Sequence, residues 1–139
     1  MPNIRESIVY TCLRGNSVLA ERRALNSPYA PGEIVFPGGK IDPGDKTPLQ
    51  AFLREFQEET AAEPQCVIRL HELEYPEDNI RLFPFVVYTW NGDIPQHMVD
   101  TNGLFLWRTI EFMRQSSRTE VATLANLIML SLVKLTGYN

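Results

Sequence analysis

Two periodicities alternate along this chain, and together they predict a sheet with helices packed against it. Ser7-Ile8-Val9-Tyr10-Thr11-Cys12-Leu13 is a run of β-branched, aromatic and apolar residues, a composition that fits a pleated, half-buried surface. It ends at the turn signal Gly15-Asn16. Ser17-Val18-Leu19-Ala20-Glu21-Arg22-Arg23 then resumes the pattern, so the two segments predict a hairpin with a short loop. Leu25 to Gly32 carries Asn26, Ser27, Pro28 and Pro31 and reads as loop. Ile34-Val35-Phe36 is a short apolar strand that runs into Pro37-Gly38-Gly39, read as a tight turn, and Asp42-Pro43-Gly44-Asp45 is a second breaker cluster.

A helix is predicted from Thr47. Thr47 can cap it, Pro48 suits the first helical position, and Gln50 completes a Thr-x-x-Gln capping box. Leu49, Phe52, Leu53 and Phe56 recur at helical spacing, which gives the helix an apolar stripe, and it should run to about Ala61 or Ala62, before Pro64. Strands follow at about Cys66 to Glu72 and Ile80 to Trp90, then a short one at Leu104-Phe105-Leu106-Trp107. A last helix is predicted from about Arg118 to Leu135, with Val121, Leu124, Ile128, Leu132 and Leu135 on one stripe and Leu127 and Leu130 apolar on other sides. With no repeat, low-complexity tract or linker, residues 1–139 read as one domain of α/β or α+β type with a mixed sheet and a single core.

Composition narrows the function classes. At 139 residues, 44% hydrophobic and 22% charged, the chain can build a core without staples. Its net charge of −4, from 17 acidic and 13 basic residues, offers no overall attraction to a nucleic-acid backbone, so no nucleic-acid partner is expected. Cys12 and Cys66 are read as two reduced thiols rather than a disulfide framework. The polar start, Met1-Pro2-Asn3-Ile4-Arg5-Glu6, is unlike a signal peptide, and the longest apolar tract, Val121 to Val133, falls short of a bilayer span. A cytoplasmic location without membrane association is the expectation. The apolar last helix leaves monomer and homodimer both open.

The chemistry is carried by Arg54-Glu55-Phe56-Gln57-Glu58-Glu59. At about 100° per residue, Glu55, Glu58 and Glu59 share one helical face. Like charges this close destabilise a helix, so a cation should offset them, and oxygen ligands suit a hard cation such as Mg²⁺. On its own the pattern reads first as a solvated face with Arg54 paired to Glu58 at i, i+4, ahead of a metal site. The preceding segment adds a phosphate-friendly element, because glycines let backbone groups approach a ligand closely. Strand, diglycine, loop and triply acidic helix together make a metal and diphosphate site.

Gly39 to Ala62 resembles the Nudix box, written G-x5-E-x7-R-E-U-x-E-E-x-G-U with U a bulky aliphatic residue. Gly39, Arg54, Glu55, Glu58 and Glu59 match, Phe56 fills the first U, and Val35-Phe36-Pro37-Gly38-Gly39-Lys40 looks like the entry to the box. There are three departures. The loop is one residue longer, so Asp45 takes the place of the first glutamate. Counting back from Arg54 without a gap would give Lys46, but the cap at Thr47-Pro48 puts the extra residue in the loop. Ala61 stands where glycine is usual, and Ala62 is smaller than the usual U.

The resemblance implies a Nudix-type α/β/α sandwich, a mixed β-sheet flanked by helices. It implies that Glu55, Glu58 and Glu59, with a backbone carbonyl near Gly38, bind Mg²⁺ (or Mn²⁺), and that Arg54 belongs to the same catalytic group. Asp45 would orient Arg54. The general base varies in the family: Glu58, Glu59 or an acid nearer the C-terminus, with Glu120 and then Glu111 as candidates. Glu120 also has a structural explanation, since Ser117-Arg118-Thr119-Glu120 reads as a capping box. Arg22, Arg23, Gly39 and Lys40 are candidates for the substrate phosphates, with strand alternation turning one of the two arginines toward the site. Tyr29 can stack on a base, while His71 and His97 are incidental. The implied activity is divalent-cation-dependent hydrolysis of the phosphoanhydride bond of a nucleoside diphosphate linked to another moiety, first of all a nucleoside triphosphate pyrophosphohydrolase. ADP-ribose, dinucleoside polyphosphates, or a catalytically weak nucleotide-binding module of the same fold are the alternatives.

Overall fold

The computed structural model describes residues 3–136, with side chains in the last helix described as far as Val133. Met1 and Pro2 of the polar start, and the Leu135 side chain of the predicted stripe, lie outside the described residues. The elements are β1 (Arg5–Arg14), β2 (Ser17–Arg22), β3 (Ile34–Val35), β4 (Gly38–Lys40), α1 (Pro48–Thr60), β5 (Glu63–Arg69), β6 (Leu73–Tyr75), β7 (Ile80–Asn91), β8 (Leu104–Thr109), α2 (Ile110–Arg114) and α3 (Thr119–Thr136).

β1 organises the sheet. It runs parallel to β7 from Arg5 opposite Ile80 to Cys12 opposite Val87, and it pairs antiparallel with β4 through its first half and with β2 at its end. The sheet order is β3-β2-β1-β7-β5, with β8 on β2 and β6 on β7. One parallel pair among antiparallel ones makes the sheet mixed.

Strand alternation sorts the core into two layers. Ile8, Tyr10 and Cys12 of β1, with Phe83, Phe85 and Val87 of β7, face α1 and pack on Phe52 and Phe56. Phe52 stacks on Phe85 at 4.7 Å between centroids, and Tyr10 meets Phe56 edge-on at 5.2 Å. On the other face Val9, Val18, Ala20 and Val86 pack against Ile110 and Met113 of α2 and Val121, Leu124 and Ile128 of α3. The fold is an α/β/α sandwich. Both thiols are free, Cys12 being buried. Among the described residues no helix is long and apolar enough to cross a membrane.

Four local expectations need correcting. Pro37-Gly38-Gly39 is not a tight turn: Gly38 and Gly39 are extended and form β4, because their pairing with Val9 and Ile8 outweighs the breaker composition. The buried face of α1 is Ala51, Phe52, Phe56, Glu59 and Thr60, whereas Leu49 and Leu53 of the predicted stripe are nearly half exposed. β5 starts three residues earlier than expected, at Glu63, and takes Pro64 into a bulged stretch against β7. At α3, Ser117 and Glu120 form no capping box; the Glu120 carboxylate turns instead to the Tyr29 hydroxyl, and Leu130 stands 60% exposed. The cap of α1 does form. Thr47 Oγ1 accepts from the Gln50 amide at 3.1 Å, while the Gln50 side chain reaches one residue further back, to the Lys46 amide at 2.9 Å.

The end of α1 carries a local cost. Ala61 closes the helix in the left-handed region, φ 59°, with its amide donating to Gln57 O. That conformation is penalised for any residue with a Cβ. Ala61 is exposed, so Ala61→Gly should relieve the penalty without disturbing packing. The expected gain is about 1 kcal/mol in denaturant unfolding; an unchanged or lowered midpoint would contradict it.

Candidate active site

α1 presents its acids to two different environments. Glu59 continues the stripe of Phe52 and Phe56 and is 3% exposed. Its Oε1 accepts a hydrogen bond from the Tyr10 hydroxyl at 2.8 Å. Burial, reinforced by the neighbouring Glu55, Glu21 and Asp100 charges and opposed by the Tyr10 hydrogen bond, pushes its carboxyl up to about 9. Glu55 is half-buried and is also raised by desolvation, against the pull of Arg54. Glu58, one step round the helix, has 45% of its side chain exposed.

Arg54 binds this acid face to the loop that precedes it. Its Nη1 donates to Glu55 Oε1 at 3.0 Å and to Glu58 Oε2 at 3.3 Å. Its Nε and Nη2 grip both oxygens of Asp45 at 3.1 and 2.9 Å, and Nη2 also reaches the Lys40 carbonyl at 3.2 Å. The hydrogen bonds from Arg54 hold the Asp45 carboxyl below the usual carboxylate range. Lys46 takes no part in this contact among the described residues.

The two glycines of β4 are needed for close approach. A Cβ at Gly39 would fall into the Glu55 carboxylate, and one at Gly38 would meet the backbone of Ile8 and Val9. β4 therefore lies flush against both β1 and the acid face of α1.

Sequence reasoning missed a further acid. Asp100 belongs to a bend closed by a hydrogen bond from the Met98 amide to Gly103 O, and the Val99 amide donates to Glu59 O at 3.0 Å, docking that bend on the end of α1. Glu55, Glu58 and Asp100 bring one carboxylate oxygen each to within 4.8 Å of one another. Three oxygen donors and no sulfur or imidazole fit a hard divalent cation. Glu59, expected in this set, is turned inward to Tyr10 instead, because its place in the buried stripe outweighs its charge. Glu21 is a second unanticipated acid and, unlike the exposed Asp100, it is buried. It is 2% exposed, pairs with Arg23 Nη1 at 3.0 Å, and is raised by desolvation.

A cavity of about 700 Å³ opens beside this centre, lined among others by Gly38, Gly39, Lys40, Glu21, Arg23 and Glu120. Of the two candidate arginines, Arg23 lines it, with its guanidinium tied to Glu21, Ser27 Oγ and Tyr29 O; Arg22 is exposed and outside it. Glu111 pairs with Arg114 on α2, away from the cavity. His71 and His97 touch neither the cavity nor the acid cluster.

Comparison with known proteins gives one family. The model of the NUDIX domain matches residues 4–116. The 8-oxo-dGTP diphosphatase of Escherichia coli (strain K12) is 40% identical over 80 residues, which cover 56% of this chain and 60% of that protein. The chain thus spans less than two thirds of that relative's length. The 8-oxo-dGTP diphosphatase of Proteus vulgaris is 34% identical over 87 residues, 61% of this chain and 76% of that protein. The crystal structure of the MutT NUDIX hydrolase from Burkholderia pseudomallei superposes with a TM-score of 0.73 at 18% identity, covering 89% of this chain and 97% of that one. That likeness concerns the fold.

The buried acid on α1 generates a pH signature. In the metal-free protein Glu59 keeps its proton up to about pH 9, whereas in the unfolded chain it ionises near its ordinary value. The folded state therefore binds more protons between those limits, and stability should fall as pH rises from about 4.5 to about 9. Thermal unfolding in chelator is expected to show that fall, and Glu59→Gln should flatten it and raise the melting temperature at pH 8. A variant less stable than the parent at pH 8 would overturn this account.

Proposed function

Because this chain belongs to the NUDIX domain family, we propose that it is a Mg²⁺-dependent nucleoside triphosphate pyrophosphohydrolase. The observation that carries the proposal is the meeting of Glu55, Glu58 and Asp100 where Gly39, on the wall of a cavity that Arg23 and Lys40 also line, abuts Glu55. Relatives named 8-oxo-dGTP diphosphatase support a nucleoside triphosphate as the substrate.

Each side chain has a task in this reading. Glu55, Glu58 and Asp100 would hold the cation. Bound there, it would offset the charge of the diphosphate and make water at the site more acidic. Arg23 and Lys40, both on the cavity wall, would bind phosphate oxygens and orient the chain of phosphates. Arg54 cannot serve the substrate directly, since its donors are taken by Asp45, Glu55, Glu58 and Lys40 O; it positions the acids. Glu58, the more exposed of the two carboxylates at the helix end, is better placed to accept a proton from the attacking water than Glu59, which is buried against the Tyr10 hydroxyl. The water oxygen bonds to phosphorus, the bond to the bridging oxygen breaks, and the products are a nucleoside monophosphate and pyrophosphate.

The test is a Mg²⁺-dependent screen of deoxynucleoside triphosphates, 8-oxo-dGTP and ADP-ribose, with products identified by phosphorus NMR. Glu55→Gln, Glu58→Gln and Asp100→Asn should each lower kcat by on the order of 100-fold while the fold is kept. Turnover that survives both chelator and these substitutions, or release of inorganic phosphate alone, would refute the proposal.

A further inference from the structure

Glu21 is a carboxylate that the cation cluster does not use, in a place that disfavours charge. It follows Leu19 on the side of β2 turned to α1 and lines the cavity wall while almost wholly buried. Taking a carboxylate out of water costs stability, and an apolar side chain of similar volume would fill such a place without that cost. Among the described residues its side chain makes a single hydrogen bond, in which Oε2 accepts from Arg23 Nη1 at 3.0 Å. The same oxygen is confined from the other side. A Cβ on Gly103, which closes the bend of Asp100, would stand 2.9 Å from Oε2 and 2.6 Å from Met98 Sδ. The other two anchors of Arg23 belong to the loop between β2 and β3: Ser27 Oγ accepts from Nη2 at 2.7 Å and Tyr29 O from Nε at 3.3 Å. A guanidinium has five N–H donors, so these contacts leave one on each terminal nitrogen of Arg23. That is the pair a bidentate phosphate contact needs.

We infer that Glu21 is a positioning residue: it holds the Arg23 guanidinium at the cavity wall and so sets the affinity for the substrate's phosphates. The inference rests on the reading above, in which Arg23 binds phosphate oxygens. Of the three anchors, Glu21 is the one that comes from the sheet, where packing fixes it; Ser27 and Tyr29 carry the arginine only as firmly as their loop is held. A cation fixed before the ligand arrives binds more tightly than one that must be ordered on binding. The sign of the effect separates positioning from plain electrostatics. A negative charge beside a phosphate site repels the ligand, so by charge alone the loss of Glu21 would tighten phosphate binding. Positioning through Arg23 requires that the loss weaken it.

The test combines binding and turnover. Glu21→Met keeps the length and bulk of the side chain and removes both oxygens. In calorimetric titration with inorganic pyrophosphate in Mg²⁺ it should weaken binding roughly tenfold, the worth of a hydrogen bond to a charged group. The melting temperature should hold or rise, because an apolar side chain suits the buried place. Glu21→Gln keeps an oxygen acceptor within reach of Arg23 and should recover most of the loss. In an Arg23→Ala background, Glu21→Met should change pyrophosphate affinity by no more than about twofold, since a residue that acts through another has little effect once that other is gone. With a triphosphate that the chain turns over, Glu21→Met should raise KM roughly tenfold and leave kcat within about threefold. Unchanged or tighter pyrophosphate binding in Glu21→Met, or a loss that persists in full without Arg23, would overturn the inference. Triphosphate turnover with KM indifferent to Glu21→Met sinks this inference and spares the hydrolase reading; pyrophosphate binding that depends on Glu21 through Arg23, with no triphosphate turned over, does the reverse.

Discussion

A helix that collects Glu55, Glu58 and Glu59 within two turns has to dispose of negative charge, and this chain does so with one guanidinium and a change of environment. Arg54 spends its donors on Glu55, Glu58, Asp45 and the Lys40 carbonyl, so it joins α1, the loop before it and β4 at a single point. Repulsion between like charges on a helix costs only a few tenths of a kcal/mol per pair. An uncompensated carboxylate in a partly buried site costs several. The second cost governs the architecture, and Arg54 is placed where burial is beginning.

The third acid is handled differently. Glu59 cannot reach Arg54's side of the helix and lies in the aromatic layer, where burial outweighs its charge and leaves it a neutral acid under the Tyr10 hydroxyl. Its backbone carbonyl meanwhile receives the Val99 amide. One residue thereby ties the core to the bend that brings Asp100 to the exposed acids. Packing and chemistry meet there, because displacing the end of α1 would move Glu58 and Asp100 together.

Much of this was legible in local sequence. The hairpin, the cap of α1 at Thr47 and both long helices follow from turn residues and periodicity. Glu59 is the exception: the sequence reading groups it with the metal-binding acids, although it stands seven residues after Phe52 and three after Phe56, on the buried stripe those phenylalanines define. What the sequence hid depends on long-range pairing. Pro37-Gly38-Gly39 looks like a breaker and becomes a strand because β1 offers free backbone groups alongside. Asp100 lies in a polar loop with no motif around it, and only the docking of that loop on Glu59 makes it part of a site. Ser117 to Glu120 matches a capping pattern, yet Tyr29, distant in sequence, competes for the Glu120 side chain and wins.

The loop between β4 and α1 holds one residue more than the family pattern, and its acid is an aspartate, one methylene shorter than glutamate. With both changes present, Asp45 meets Arg54 through two oxygens, and the same carboxylate accepts the Asp42 amide at 2.9 Å. The extra backbone has made up for the missing side-chain length. These two irregularities are therefore one compensated unit, and inheriting either without the other would leave the arginine over- or under-reached.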